Sequence, residues 1–450
     1  MWRNILNKIR SLKPAQMIVV YYFIAIALSF FLLRLPGVHQ DGKAINLIDS
    51  LFTAVSAVSV TGLTAINVSE TYTTFGIIVL MFILQLGGIG IMSLGTFFWL
   101  IVGKRIGLRE RQLIMTDHNQ YNLSGVVKLI IEIIKILLLI EAIGALVLAI
   151  YFTQFYDTWG EAVLHGVFAS ISATTNGGFD ITGESLIPYA NDYFVQVIII
   201  ILIILGAIGF PVLIELKGFL SNKSGVFRFS LFTKLTTITF GIILLLGTIL
   251  IFLMEINHRF QGMDWHEAFF YSFFHSTSTR SGGMVTLDVS TFSEPTQLVM
   301  SMMMFIGASP SSVGGGIRTT TFAIAVLFLI NFARGREQIQ VFNREIHLID
   351  VYRSYAVIIL AMILTMASIM TMMILEPRHS MIEVIFEVTS AFGTAGMSLG
   401  ITSELSTASK FILMFLMFIG RVGLISFLFM IGGNNKKAKY HYPKERVIIG

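Results

Sequence analysis

The chain has 450 residues, 55% hydrophobic and only 13% charged, with 31 Lys and Arg against 26 Asp and Glu. Soluble domains carry about 25% charged residues, so this composition excludes an ordinary soluble protein. The absence of cysteine excludes disulfides and thiolate metal sites.

In chain order, residues 17–35 form the first apolar run, followed by 129–150, 195–214, 240–254, 356–375 and 411–431. Runs of roughly 20 residues cross about 30 Å of hydrocarbon as helices. Residues 15–35 are long enough to stay as a helix rather than be cleaved as a signal peptide. Of the 31 basic residues, 22 fall in five segments: the N-terminus (Arg3, Lys8, Arg10, Lys13), 104–128, 217–234, 334–353 and the tail (Lys436, Lys437, Lys439, Lys444, Arg446). The positive-inside rule puts these segments and both termini in the cytoplasm. The segments between them are acidic, with Asp157, Glu161, Asp180, Glu184, Asp192, Asp264, Glu267, Asp288, Glu294, Glu383, Glu387 and Glu404. The net charge of +5 therefore hides a basic inner side and an acidic outer side that concentrates cations. The basic side is a topology signal and gives no reason to expect a nucleic-acid partner.

Four internal repeats follow from spacing. Phe52, Ser56 and Gly62 share their intervals with Phe168, Ser172 and Gly178, with Phe273, Thr277 and Gly283, and with Phe386, Ser390 and Gly396. The glycines lie 116, 105 and 113 residues apart. A fifth match, Phe305, Ser309 and Gly315, breaks the period and is accidental. A second landmark, with glycines at Gly87, Gly206, Gly307 and Gly420, follows the first by 25, 28, 24 and 24 residues. Each repeat reads as a long helix (M1), a segment of about 12 residues opened by an acid (Asp49, Glu161, Glu267 or Glu383) and too short to span, and a second long helix (M2). The expected fold is an all-α membrane protein of four pseudo-symmetric M1–P-loop–M2 repeats. Eight transmembrane helices and four re-entrant pore loops would surround one central pore. The repeats cover 15–103, 128–220, 230–333 and 352–433, with a cytoplasmic tail over 434–450.

Polar backbone at membrane depth is tolerated only against protein or a water-filled cavity. Four short helices converging on one axis meet that condition, and their C-terminal ends favour a cation there. Beyond each, glycine lets the chain turn its carbonyls to the axis, where rings of oxygens replace an ion's hydration shell. The expected filter is Val60, Thr61 and Gly62; Asn176, Gly177 and Gly178; Ser281, Gly282 and Gly283; and Thr394, Ala395 and Gly396. Hydroxyls of Ser56, Ser172, Thr277 and Ser390 would brace it from behind. The competing reading of the glycines is close helix packing. Arg280, just before the third strand, is expected to point backward and pair with a carboxylate of a neighbouring repeat.

The third M2 runs through Ala308, Ser309, Pro310, Ser311, Ser312, Val313, Gly314, Gly315, Gly316, Ile317 and Arg318 before apolar helix resumes at Phe322. Proline and three glycines cannot sustain a lipid-facing helix, so this segment is either a gate across the pore or a static kink. Arg421, about halfway along the fourth M2, either raises an electrostatic barrier beneath the filter, aided by Arg318, or pairs with Glu141. A mid-membrane guanidinium costs roughly 2.5–3.5 kcal/mol and needs such a role. No His-Glu-x-x-His, Walker loop or Gly-x-Ser-x-Gly elbow occurs, so neither an intramembrane enzyme nor an ATP-driven pump is expected.

These repeats resemble the superfamily of K⁺ transporters that includes bacterial Trk and Ktr proteins and their plant and fungal relatives. The four Ser/Thr–Gly loops within M1–P–M2 units carry the likeness over 15–433. The chain length and the run Ser390-Ala391-Phe392-Gly393-Thr394 look most like the Ktr membrane subunit. The resemblance implies K⁺ uptake across a bacterial plasma membrane, with K⁺ as the transported ion and no cofactor on this chain. In that family four filter glycines go with K⁺ preference and serine in the first loop with Na⁺, so Gly62 implies K⁺. The resemblance also implies an intramembrane gate loop, frequent Na⁺ stimulation not traceable to a residue, a membrane homodimer, and a cytosolic nucleotide-binding ring as regulatory partner. A symporter coupling K⁺ to Na⁺ or H⁺, or a Na⁺-conducting relative, is the alternative.

Overall fold

The computed structural model describes residues 14–431 except 44, 91–110, 113–114, 116–124, 223–226 and 337, together with 443 and 445. The basic residues of the N-terminus and tail, and most of 104–128, lie outside the described residues. The described helices fall into four successive sets. The first holds α1 (Pro14–Leu33), α2 (Leu47–Ser59) and α3 (Thr74–Ile89). The second holds α4 (Val126–Phe152), α5 (Trp159–Thr174), α6 (Tyr193–Ala207) and α7 (Phe210–Ser221). The third holds α8 (Leu231–Glu255), α9 (Trp265–Ser278), α10 (Glu294–Phe305) and α11 (Thr319–Ala333). The fourth holds α12 (Leu348–Leu375), α13 (Met381–Gly393), α14 (Thr407–Val422) and α15 (Leu424–Ile431). A small hairpin, β1 (Gln340–Val341) with β2 (Arg344–Glu345), joins the last two sets.

Local chemistry explains these ends. The short helices α2, α5, α9 and α13 carry Asp49, Glu161, Glu267 and Glu383 in their first turns, where the partial positive charge of the helix favours an acid. Ser380 and Glu383 form a reciprocal capping box, and Thr158 caps α5 by accepting from the Glu161 N–H. With 13 to 16 residues, these helices reach only about 20–24 Å at 1.5 Å per residue. Each is shorter than the roughly 20 residues that a hydrocarbon core requires.

Only the first helix of each set is long and apolar enough to cross in one piece among the described residues. The sequence predicts an unbroken second helix in three repeats and a break in the third alone; instead, the second helix ends at the second glycine landmark in every set. Gly90 (φ 87°, ψ 133°), Gly209 (φ 104°, ψ 131°) and Gly423 (φ 88°, ψ 137°) share one conformation, which a residue with a Cβ avoids. At Gly209 the chain bends by 106° between α6 and α7. Pro310 occupies the equivalent place in the third set, inside a loop that separates α10 from α11. Among the described residues, the expected eight continuous spans are therefore four continuous ones, with the second helix broken at this landmark in the second, third and fourth sets.

Packing closes the sets into a ring. Each second helix lies against the short helix of the next set: α3 on α5, α6 on α9, α10 on α13, and α14 back on α2. The short helices expose their outer ends at Leu47, Trp159, Trp265 and Met381 and enclose their inner parts, with Phe52, Phe168, Phe274 and Phe386 buried. The long helices point apolar stripes outward, such as Leu139, Ile143, Leu146 and Ile150 on α4 or Ile359, Met362, Ile363 and Met366 on α12. Such stripes suit lipid and would aggregate in water.

Candidate functional site

The four loops beyond the short helices share one backbone signature. Val60, Asn176, Ser281 and Thr394 have φ of 55°, 51°, 74° and 47°, and two residues on, Gly62, Gly178, Gly283 and Gly396 have φ of 92°, 66°, 70° and 87°. The residue between them, Thr61, Gly177, Gly282 or Ala395, stays outside the left-handed region. A regular strand sends successive side chains and carbonyls to opposite sides. Alternating the sign of φ undoes that alternation and turns successive carbonyls toward one side. Four non-glycine residues held at positive φ carry strain of order 1–3 kcal/mol each, which persists because all of them are completely buried.

The four strands meet. A Cβ built on Gly62 would lie 2.8 Å from the Gly178 α-carbon, one on Gly178 3.0 Å from that of Gly283, one on Gly283 3.4 Å from that of Gly396, and one on Gly396 3.1 Å from that of Gly62. The glycines thus form a closed ring in chain order. Carbonyl oxygens of the middle residues stand beside them: that of Gly177 at 2.6 Å from the Gly62 position, that of Ala395 at 2.9 Å from Gly283, and that of Thr61 at 3.3 Å from Gly178.

The bracing hydroxyls follow the expectation in part. Ser56 and Ser390 Oγ each accept from the N–H of the filter-position glycine, Gly62 and Gly396, at 3.1 Å. Ser172 Oγ donates to the Phe179 carbonyl at 2.6 Å. Thr277 does not reach its loop; its hydroxyl donates to the Phe273 carbonyl in its own helix, and Ser278 takes its place by donating to Met284. The Gly282 N–H closes on Ser278, four residues back, whereas Thr61, Gly177 and Ala395 each close on a serine five back. That one-residue difference moves the bracing hydroxyl.

Residues 308–316 lie directly against these strands. A Cβ on Gly314 would meet the Ser281 side chain, one on Gly315 would lie 2.6 Å from Thr394 Oγ1, and one on Gly316 3.2 Å from the Gly393 α-carbon. The segment is pinned to the break between α6 and α7: Ser309 N–H donates to Ala207 (3.0 Å), Val313 N–H to Gly206 (3.3 Å), and Phe210 N–H to Ser311 (2.8 Å). Ala308 N–H donates to Gly315 (3.1 Å), and Ser312 Oγ to Ser309 (2.6 Å). Arg318 donates to the Gly314 carbonyl. A cavity of about 80 Å³ borders the segment, lined among others by Ser311, Ser312, Gly316, Arg318, Arg421 and Gly423.

Both buried arginines differ from the carboxylate pairings weighed on sequence. Arg421 donates through Nη2 to the Gly87 carbonyl and lies 3.4 Å from that of Gly88, at the end of α3. Its suggested partner Glu141 is bonded instead to Gln85 Nε2 at 2.6 Å. Arg280 does point backward, but its Nη1 donates to Ile306 (2.5 Å) and its Nη2 to Met303 (2.8 Å), the last carbonyls of α10. A helix C-terminus offers unpaired carbonyls and partial negative charge, so it receives a guanidinium as a carboxylate would. Gly90, Gly209 and Gly423 follow the landmark glycines Gly87, Gly206 and Gly420 by three residues, but sequence reasoning missed the break they make.

Comparison with known proteins converges on one family. The TrkH family, described as cation transport protein, matches residues 6–435. The Ktr system potassium uptake protein D of Bacillus subtilis is 55% identical over 442 residues, covering 98% of each chain. The potassium/sodium uptake protein NtpJ of Enterococcus hirae is 32% identical, again covering 98% of each. Among solved structures, the potassium transporter TrkH from Vibrio parahaemolyticus superposes with a TM-score of 0.73 at 17% identity, covering 94% of this chain and 86% of that one. Its likeness shows the fold. The family consists of membrane ion transporters, not enzymes, and this chain belongs to it as a Ktr-type membrane subunit.

Proposed function

We propose that the protein takes up K⁺ across a bacterial plasma membrane by letting the ion pass along the axis where the four loops meet. The closed ring of Gly62, Gly178, Gly283 and Gly396 supports this reading, because it brings four separate strands together with the carbonyl oxygens of Thr61, Gly177 and Ala395 beside it. Such oxygens substitute for the water an ion gives up on entry. The filter is Val60 to Gly62, Asn176 to Gly178, Ser281 to Gly283 and Thr394 to Gly396. The names of the relatives, potassium uptake proteins at 55% and 32% identity, support K⁺ as the ion.

Residues 308–316, with Arg318 and Arg421, act as the gate. Their support is position: the segment abuts two filter strands, and two guanidinium groups border one cavity beside it. A cation leaving the filter meets positive charge and a closed loop. A cytosolic nucleotide-binding ring moves that loop from the basic inner face, and the subunit works as a homodimer with both termini in the cytoplasm.

The name of NtpJ, a potassium/sodium uptake protein, favours one second reading, in which Na⁺ travels with K⁺. Purified protein in liposomes separates the two. Passive uptake should follow the K⁺ gradient alone, without a fixed Na⁺ ratio. Uptake that requires a Na⁺ gradient at constant stoichiometry would replace the first reading by the second, and no K⁺ flux at all would remove both.

A further inference from the structure

We propose that Arg280 is a positioning residue that ties the third filter strand to the hinge of the gate segment, so that ion occupancy on the axis and the position of residues 307–317 are linked. This rests on the reading of filter and gate given above.

Arg280 stands between the end of α9 and Ser281, the first residue of the strand, and its side chain is wholly buried. Its guanidinium spans to Met303 and Ile306. At Ile306 the chain leaves the helix (φ −84°, ψ 78°) and the gate segment begins. The segment also returns there: Ile317 N–H donates to Phe305 at 3.2 Å, and Ala308 N–H to Gly315. The loop therefore starts and returns at residues 305–306, beside the Met303 and Ile306 carbonyls that Arg280 holds. A second contact lies one residue on, where a Cβ on Gly314 would come within 2.7 Å of the Ser281 Cβ. Ser281 Oγ in turn donates to Gly393 at 3.1 Å, joining the third strand to the end of α13.

Arg280 takes part in no ion pair among the described residues. Its charge is balanced only by carbonyl dipoles of the α10 end, so those two bonds are what keep it buried. If the loop swings out from Ile306, the guanidinium must follow, and Ser281 follows with it. Conversely, an ion that orders the third strand fixes Arg280 and holds the hinge. The planar fork suits this role because it reaches two carbonyls together, whereas lysine offers a point charge.

The test uses the absence of cysteine. Ser312→Cys places the sole thiol of the chain in the gate segment, and its modification rate by a maleimide is measured on the full protein in nanodiscs, in K⁺ and in an impermeant cation. With Arg280 present the two rates should differ several-fold. In Arg280→Gln the ratio should fall to one while K⁺ still raises Tm. Arg280→Lys should retain part of the ratio, which a purely structural role does not predict. A ratio of one with Arg280 in place, or an unchanged ratio in either variant, overturns the proposal. The lysine variant serves if the glutamine variant fails to fold. Failure of the ion-binding reading itself looks different, because K⁺ would then raise Tm in no background.

Discussion

Lys410 Nζ lies 2.8 Å from Asp49 Oδ1, joining α14 to the first turn of α2 across 361 residues. Their side chains are only 9% and 16% exposed. Lys410 also reaches the Ser403 carbonyl at 3.3 Å. Here the last set is bolted to the first, and breaking the pair leaves a mostly buried charge. Asp49→Asn should lower stability by about 3 kcal/mol, the lower end for such a break. A double-mutant cycle with Lys410→Met, read by thermal unfolding, should return a coupling well above that of a surface pair. Strict additivity would show that the ring is not held there.

Gly396 has the least room of the ring: a Cβ would collide with the Thr61 carbonyl, and its φ of 87° disfavours any other residue. Gly396→Ala should cost on the order of 1–3 kcal/mol of local strain, equivalent to roughly one to two decades of flux. The K⁺-over-Na⁺ preference in liposome flux should fall with it. Wild-type selectivity in that variant would contradict the filter assignment.

Serine rather than threonine should matter behind the third strand. Ser278→Ala removes the bond to Met284 and should cost about 1 kcal/mol. Thr277→Val should be nearly silent, since its hydroxyl only returns to its own helix. Thermal stability in K⁺ distinguishes the two, and the reverse order would refute the assignment.

Arg421→Ala, or deletion of 311–316, should raise K⁺ flux. A charge roughly 10 Å from the proposed ion path contributes about 1–2 kcal/mol of barrier at an effective dielectric of about 20, so the increase should be roughly tenfold. Unchanged flux in both would leave the loop a static kink.

Gly209→Ala probes the break between α6 and α7. Its Cβ would stand 2.9 Å from the Pro310 carbonyl at a φ of 104°. Relief by straightening would pull Gly206 and Ala207 from the loop amides they accept. The variant should lose about 2 kcal/mol of stability and leave the loop more open, measured as faster maleimide labelling at Ser312→Cys. Slower labelling would argue against anchoring at this break.

Much of the architecture was legible because it follows from period and polarity. Apolar length identified the membrane class, and the spaced glycines Gly62, Gly178, Gly283 and Gly396 are the ones that come together. The partners of Arg280, Arg421 and Glu141 were not legible. Sequence advertises charges, so it suggests carboxylates, whereas a helix end presents carbonyls that no residue letter displays. Ser278 escaped notice because a one-residue change in where α9 closes shifts the brace without altering the spacing of Phe273, Thr277 and Gly283. The interruptions at Gly90, Gly209 and Gly423 escaped for a related reason. Glycine in an apolar helix signals close packing as readily as a break, and only φ tells them apart.

Because α14 packs back on α2, one polypeptide completes the circle that separate identical subunits would otherwise share. A homotetramer would have to bear four plugs and four inner guanidinium groups or none, crowding its own axis. Here each quadrant is free to specialise: the third carries the loop over 308–316 with Arg318, the fourth carries Arg421, and under the proposed function these obstruct one path while the other two quadrants stay plain wall.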